Sequence, residues 1–272
     1  MEIDTQSKQA FIDTLWEFYA HGRRADLPWR QPEPNGSFDP YKIMVSELML
    51  QQTQVARVVA KYKVFLQYLP DVDTLAQTEL GDVLRIWQGL GYNRRAKFLW
   101  QAAQVITSLD LFPESPEALL KLPGVGVNTA GAIAAYSYNY PAVFIETNIR
   151  TVYIHHFFPD CTDVSDKAIL QLVVQTLDYE NPREFYWALM DYGSHLKATI
   201  GNLNTISKQY VKQSTFHGSR RQVRGKVIRA LSIEPHTLRT LQAVIQDERL
   251  GLVLRDLLHE GMIRKSAGKY SL

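Results

Sequence analysis

The chain of 272 residues is long enough for two or three domains built on one or two cores. Its 46% apolar and 21% charged residues exclude wholesale disorder and collagen-like or mucin-like repeats. The net charge of +2 hides an uneven split: residues 1–204 hold 17 Lys+Arg against 23 Asp+Glu, a net of −6, and residues 205–272 hold 13 against 5, a net of +8. The C-terminal part is therefore a basic module with the charge to meet a polyanion.

In chain order, MEIDTQSKQAF lacks a charged-then-apolar signal pattern, and helical spacing begins at Phe11–Tyr19. Pro28, Pro32, Pro34 and Pro40 bracket a loop. The next helical pattern, Tyr41–Gln54, carries one acid, Glu47, among apolar neighbours, with Ile43, Met44, Leu50 and Gln51 on its face. Partial desolvation there raises a carboxyl pKa and keeps a proton available near neutral pH, the property of a general acid.

Helical patterns continue at Val58–Leu66, Leu80–Trp87 and Ala96–Ile106, with Pro70 and Pro113 as stops. Leu122-Pro123-Gly124-Val125-Gly126 then precedes the apolar helix Thr129–Tyr136. Two glycines two apart allow a tight turn whose N–H groups, beside a helix N-terminus, can seat a phosphate; an ordinary αα-corner with a glycine cap has the same local pattern. Ala130–Tyr136 is among the longest apolar runs, far short of the roughly 20 residues of a membrane span.

In Val143–Val152, Glu146 follows an apolar run and precedes Thr147 and Asn148 where helical spacing resumes, so it sits near a helix N-terminus that favours its ionised form or is capped by it. An ionised acid paired with a protonated one is the division of labour that glycosidic cleavage uses.

Further helices are expected at Ala168–Leu177 and Phe185–Met190, a polar interdomain connection at Gly201–Gly218, and three helical patterns at Arg220–Leu231, His236–Ile245 and Arg249–Glu260. Two potential strands flank Gly268, which gives the tail a winged-helix outline, although a plain three-helix bundle shares it. Cys161, the one cysteine, cannot form an internal disulfide or a cysteine-built cluster and fits a reducing, intracellular compartment. The scattered histidines suggest no metal site, and the five Trp are expected in the core.

These strings carry a resemblance. Leu27-Pro28-Trp29-Arg30, Tyr41-Lys42, Ser46–Gln54, Gly89-Leu90-Gly91-Tyr92, Leu122–Gly126 with Thr129–Ile133, Asn148 and Asp191-Tyr192-Gly193 resemble, in order and spacing, the helix-hairpin-helix (HhH-GPD) DNA glycosylase superfamily over residues 10–200. Ser46–Val55 and the G-L-G-Y string are similar to the MutY-type adenine DNA glycosylases.

The resemblance implies a two-lobed all-α fold, residues 1–28 with 138–204 forming one lobe and 29–137 the other, and residues 205–272 added as a basic module. It further implies DNA bound across the cleft with a base flipped into a pocket. On this chain Glu47 would protonate the leaving adenine at N7. Glu146 stands where the family has Asp, to stabilise the oxocarbenium-like sugar, and Asn148 would orient it. Gln51, Gln52 and Tyr92 match residues that wedge into the gap left by the extruded base. Leu122, Gly124, Gly126, Asn128 and Thr129 would grip backbone phosphate, with at most a monovalent cation at the hairpin.

Lyase-active relatives carry Lys where this chain has Asn128, so a monofunctional enzyme is implied. No cysteine follows Asp191-Tyr192-Gly193, so neither an iron–sulfur cluster nor, within these 272 residues, the β-rich reader of 8-oxoguanine found in typical members is expected. Arg220, Arg221, Arg224, Lys226 and Arg229 of the tail are expected at phosphates. The expected partner is double-stranded DNA with a mispaired or damaged base, met by a monomer in the cytoplasm at the nucleoid. Two alternatives stay open: a thymine or uracil mismatch glycosylase acting opposite G, and a catalytically silent DNA-binding module.

Overall fold

The computed structural model describes residues 2–109, 111–212 and 215–272. The helices are α1 (Thr5–Gly22), α2 (Pro40–Leu50), α3 (Val55–Tyr68), α4 (Val72–Gln77), α5 (Leu80–Ile86), α6 (Arg94–Thr107), α7 (Pro116–Leu119), α8 (Val127–Tyr138), α9 (Thr147–Phe157), α10 (Asp166–Thr176) and α11 (Pro182–Thr199). The tail adds α12 (Arg220–Ile233), β1 (His236–Thr237), α13 (Leu238–Val244), α14 (Leu250–His259), β2 (Arg264–Ser266) and β3 (Lys269–Ser271). Many starts are set by a side chain that takes an orphan N–H: Asp4, Asp71, Ser115, Ser165, Ser219 and Thr237 each accept from the residue three further on. Each such cap stabilises its helix by about 1 kcal/mol.

The contacts divide the chain into two compact units. The first comprises residues 1–43, 113–121 and 125–212. Its centre is the packing of α9 and α1 on α11, around Phe144, Tyr153, Phe185 and Tyr186. Gly193 of α11 makes this possible, because a Cβ there would collide with the Asn148 carbonyl at the start of α9. At the same end Asp191 is buried and accepts from Arg30 through both oxygens, at 2.7 and 2.9 Å, and from Arg24 Nε at 2.6 Å. This bidentate pair explains why Leu27–Arg30 and Asp191–Gly193 occur together.

The second unit comprises residues 44–112, 122–124 and 213–272. Here α4 and α5 pack on α6, and α12 packs on α5 and α14. Val223, Val227, Ile228 and Leu231 of α12 are buried, each contributing about 1.5–3 kcal/mol. The tail is a winged helix: β1 pairs with β3 and β3 with β2, all antiparallel, behind three helices. Its C-terminal end is docked on the same unit, since a Cβ on Gly81 would sit 3.1 Å from Leu272 and Arg264 pairs with Glu79 at 2.5 Å.

Several expectations change. The strand β1 occupies His236–Thr237, where a helix was expected, because His236 pairs with Tyr270 and Thr237 caps α13. The first half of the polar connection is packed into the first unit: Val164 bridges to Ser207, and Asn204 is buried with its amide donating to Thr151 Oγ1 at 2.8 Å. Its residues 213 and 214 lie outside the described ones. The divisions expected at 28/29, 137/138 and 204/205 also differ from those found. Arg30 is tied to Asp191, Arg183 of α11 donates to the Tyr136 and Ser137 carbonyls of α8, and the tail shares a core with α5. Of the five Trp, Trp29, Trp87 and Trp187 are buried and Trp16 and Trp100 are half-buried.

Candidate active site and nucleic-acid interface

Glu47 lies half-buried at the start of the last turn of α2, between buried Ser46 and Leu48. The helix ends three residues later, and its last carbonyls would be orphaned without a donor. Arg95 of α6 supplies one. Its Nη1 donates to the carbonyls of Leu48 at 2.7 Å, Met49 at 2.9 Å and Gln51 at 2.5 Å. Its Nη2 donates to Thr53 Oγ1 at 3.0 Å and to the carbonyls of Leu90 at 3.3 Å and Gly91 at 3.2 Å. One buried guanidinium thus ties the turn carrying Glu47 to Gln51–Thr53 and to Gly89–Tyr92. Burial lowers its pKa to about 10, so it stays charged at neutral pH, and it also lies 5.5 Å from the Trp87 ring centroid and 5.4 Å from that of Tyr92.

Both joined segments are conformationally unusual. Gln52 (φ 55°) and Tyr92 (φ 46°) occupy the left-handed region that non-glycine residues avoid, beside Gly89 (φ 94°) and Gly91 (φ 71°). Such strain persists only where the surroundings over-determine it, and Arg95 is the over-determining contact. Sequence pattern alone does not mark Arg95. The available signal is a second arginine directly after Gly-Leu-Gly-Tyr-Asn, at the position where an apolar helix begins.

The hairpin joins α7 to α8. Leu122 is buried, and Gly124 (φ 77°) comes so close to Phe98 that a Cβ would collide with its ring. Gly126 is exposed and N-caps α8 with no side-chain hydrogen bond, which leaves its first turn open to an anion. Asn128 is exposed and its Oδ1 accepts from Ile145 N at 3.4 Å, a link from α8 to the segment before Glu146; Thr129 is half-buried.

Glu146 caps α9, its Oε1 accepting from Asn148 N at 2.6 Å and Ile149 N at 3.3 Å. The helix start that favours its ionised form is opposed here by burial. The carboxyl end of this half-buried residue is enclosed, and that desolvation raises its pKa despite the opposing backbone hydrogen bonds. Asn148 is half-buried, with Nδ2 3.9 Å from Met190 Sδ.

The residues after Asp191-Tyr192-Gly193, where the resemblance implies a cluster in relatives, do not fit one. Cys161 is exposed and lies elsewhere in the sequence, and Asn204 of this stretch is held instead by hydrogen bonds to Thr151 Oγ1 at 2.8 Å and from Arg150 at 3.4 Å. Among the described residues no group of three His, Cys, Asp or Glu is placed to hold a metal ion, and no helix is long and apolar enough to cross a membrane.

Within the second unit a groove of about 950 Å³ brings Gln51, Gln52, Tyr92 and Gly124 together with Arg220, Arg221 and Arg224 of α12. These arginines are engaged in the protein. Arg220 pairs with Asp256, Arg224 pairs with Glu260 at 2.5 Å, and Arg221 lies over the Tyr92 ring at 5.2 Å with a hydrogen bond to its hydroxyl. Lys226 is exposed and lies outside the groove lining. Glu47 does not line the groove, and Glu146, Asn148, Gly126, Asn128 and Thr129 belong to the first unit.

Residues 45–174 match the HhH-GPD superfamily of base excision DNA repair proteins. An adenine DNA glycosylase of Mycolicibacterium smegmatis is 31% identical over 284 residues, covering 95% of this chain and 94% of that protein. One of Buchnera aphidicola subsp. Baizongia pistaciae is 33% identical over 218 residues, 76% of this chain and 60% of its own, so this chain spans less than two thirds of that relative. Among solved structures, a thermostable thymine-DNA glycosylase superposes with a TM-score of 0.60 at 24% identity over 70% of this chain and 87% of that one. Endonuclease III bound non-covalently to DNA superposes with a TM-score of 0.61 at 16% identity over 73% and 90%. These two share the fold. The identity that runs through nearly all of the mycobacterial relative goes further, and the chain belongs to the HhH-GPD superfamily of base excision DNA repair proteins, among its adenine DNA glycosylases.

Proposed function

We propose that the protein is a monofunctional DNA glycosylase of base excision repair that removes adenine mispaired with 8-oxoguanine or guanine. Glu47, protonated, gives its proton to N7 of the extruded adenine; the C1′–N9 bond then breaks with its electron pair leaving on the base. The ionised Glu146 carboxylate, positioned through Asn148, offsets the positive charge that develops on the sugar, and water adds to C1′ and releases a proton. Asn128 has no amine to form a Schiff base, so the product is an abasic site in an intact strand. The chemistry uses these side chains and water without an iron–sulfur cluster, and a monovalent cation at the hairpin is the one ion the reading admits. The enzyme acts as a monomer on double-stranded DNA in the cytoplasm, at the nucleoid.

The observation that carries the reading is the Arg95 junction. It holds the turn bearing the acid in one rigid body with Gln51, Gln52 and Tyr92, the residues that would fill the gap an extruded base leaves. The test is single-turnover incubation with A:8-oxoG, A:G, T:G and U:G duplexes, followed by alkali. Adenine-bearing duplexes are expected to yield abasic sites, and Glu47→Gln to lower the rate at least about a hundredfold with binding retained, since it removes the proton but keeps size and hydrogen bonding. Excision confined to T:G or U:G would overturn the adenine assignment, and a Glu47→Gln rate within threefold of the parent would remove Glu47 from the mechanism.

A further inference from the structure

Residues 190–193 form one turn of α11 that has a buried ion pair on one side and the start of α9 on the other. On the first side buried Asp191 accepts from Arg30 Nη1 at 2.7 Å and Nη2 at 2.9 Å, from Arg24 Nε at 2.6 Å and from the Arg24 backbone N–H at 2.8 Å. Arg24 also donates to the Met190 carbonyl at 3.3 Å, and the Arg30 guanidinium lies 5.2 Å from the Trp187 ring centroid. Two guanidiniums thus converge on one carboxylate, and Arg30 Nε is enclosed without a hydrogen-bond partner among the described residues. Desolvating these charges and orphaning an N–H is a poor route to stability, since packed apolar side chains of similar volume serve as well or better.

On its second side the same turn meets the helix start that holds Glu146. Gly193 lies so close to Asn148 that a Cβ on it would overlap the carbonyl oxygen, the carbonyl carbon and Cα of that residue, main-chain atoms that cannot rotate aside. Met190 Sδ is 3.9 Å from Asn148 Nδ2. Asn148 N and Ile149 N are the donors that hold the Glu146 carboxyl, and Arg150, one turn on in α9, adds a charge that favours its ionised form. The place of the carboxyl is therefore set by the main chain at Asn148, and that main chain rests on Gly193.

We propose that the Arg24–Asp191–Arg30 cluster is a positioning device for the reaction: it fixes residues 190–193, so that Gly193 sets the depth of the α9 start and with it the place of Glu146 at the sugar. Asp191 and Gly193 are positioning residues that act through Asn148, and neither touches substrate. The inference rests on the glycosylase reading, which puts Glu146 beside C1′. It assigns the buried charges a purpose that stability does not supply.

The test uses the whole chain: single-turnover excision from an A:8-oxoG duplex is followed across pH, beside anisotropy binding to the same duplex with uncleavable 2′-fluoroadenosine. The Cβ of Gly193→Ala must push the Asn148 main chain away by on the order of 1 Å, a misplacement that can cost about a hundredfold in rate, and binding should change by less than about threefold. Because the two N–H groups that favour the charged carboxyl move with it, Glu146 is expected to ionise at higher pH, and the acid limb of the rate profile, which needs it ionised, to move up. A purely structural defect would lower the active fraction and leave that limb in place. Arg24→Met, at a side chain 30% exposed, keeps the bidentate Arg30 pair and is expected to fold, with a fall of about tenfold and a limb shift in the same direction. Folded variants with an unmoved limb, or with rates within about threefold of the parent, would overturn the proposal; where Gly193→Ala does not fold, Arg24→Met decides alone. Failure of the parent to excise adenine would remove the glycosylase reading and the inference with it, whereas excision by the parent with an unmoved limb in the variants counts against positioning alone.

Discussion

Replacing Arg95 with methionine removes the guanidinium while nearly preserving the volume of its stem. Six hydrogen bonds are lost, five to carbonyls and one to the Thr53 hydroxyl. The two terminal nitrogens share four N–H groups among these six acceptors, so four charge-assisted bonds at about 1.5 kcal/mol each give a loss of about 6 kcal/mol. Burial also opposes the charge: the fall from 12.5 to about 10 corresponds to about 3 kcal/mol at roughly 1.4 kcal/mol per pKa unit, a cost that methionine does not bear. The expected net destabilisation is therefore about 3 kcal/mol, read from urea unfolding followed by circular dichroism. Arg95→Lys should lie between the two proteins, because one ammonium has three donors and cannot span both segments. Excision under conditions where the variant is still folded is expected to fall as well, since the Glu47 turn and the residues at Gln52 and Tyr92 lose their common tie. A destabilisation below about 1 kcal/mol would mean that water replaces the guanidinium at those carbonyls and that Arg95 does not organise the site.

Glu146→Gln keeps the acceptor that caps α9 and removes a charge the fold disfavours. Because burial raises the native carboxyl above its unfolded value of about 4.3, the native state binds this proton more tightly. The associated stability is present below the unfolded pKa and is lost as pH rises through the native one. The variant should therefore melt higher than the parent at pH 8, with the gain vanishing near pH 4, and should not excise; an equal gain at both pH values would contradict the desolvation argument. Asn128→Lys is expected to allow some borohydride trapping on DNA where the parent shows none, because it supplies an amine that can attack C1′. Substantial trapping by the parent would refute the monofunctional assignment.

What the sequence shows of this site follows from the range of the interactions involved. The helix that carries Glu47 and the glycine-spaced turns are legible because each depends on neighbours within a few residues. The Asp191 contact with Arg30 spans 161 residues and becomes visible only when the two motifs are known to occur together. Arg95 is hidden for a different reason: its partners are main-chain carbonyls, which every residue type offers equally. At Glu146 local pattern reports the helix start that favours the charge but not the enclosure that opposes it. The strand β1 is two residues long, too short for any alternation to show.

The tail illustrates how net charge can mislead about role. Its excess of +8 suggests a module laid on DNA by many phosphate contacts, so that deleting it would flatten the salt dependence of binding. In the fold, Arg220, Arg224 and Arg264 are committed to Asp256, Glu260 and Glu79, and Leu272 covers Gly81. Burial pushes the Glu260 carboxyl up, but hydrogen bonds from Arg224 and Arg94 outweigh it and hold the group below the usual range, so the pairing is built into the docking of α14 beside α12 and α6. Deleting residues 213–272 would uncover the apolar side of α5 and measure lost folding rather than lost phosphates. Basic residues outside these pairs include Arg57 and Arg229 in the groove and the exposed Lys226, Arg239, Arg255, Lys265 and Lys269 beyond it. The charge of the tail is therefore tested by replacing exposed residues such as Lys226 and Arg229 one at a time: each that meets a phosphate is expected to change the slope of log K against log salt by about 0.9, and an unchanged slope in both folded variants would show that neither touches DNA.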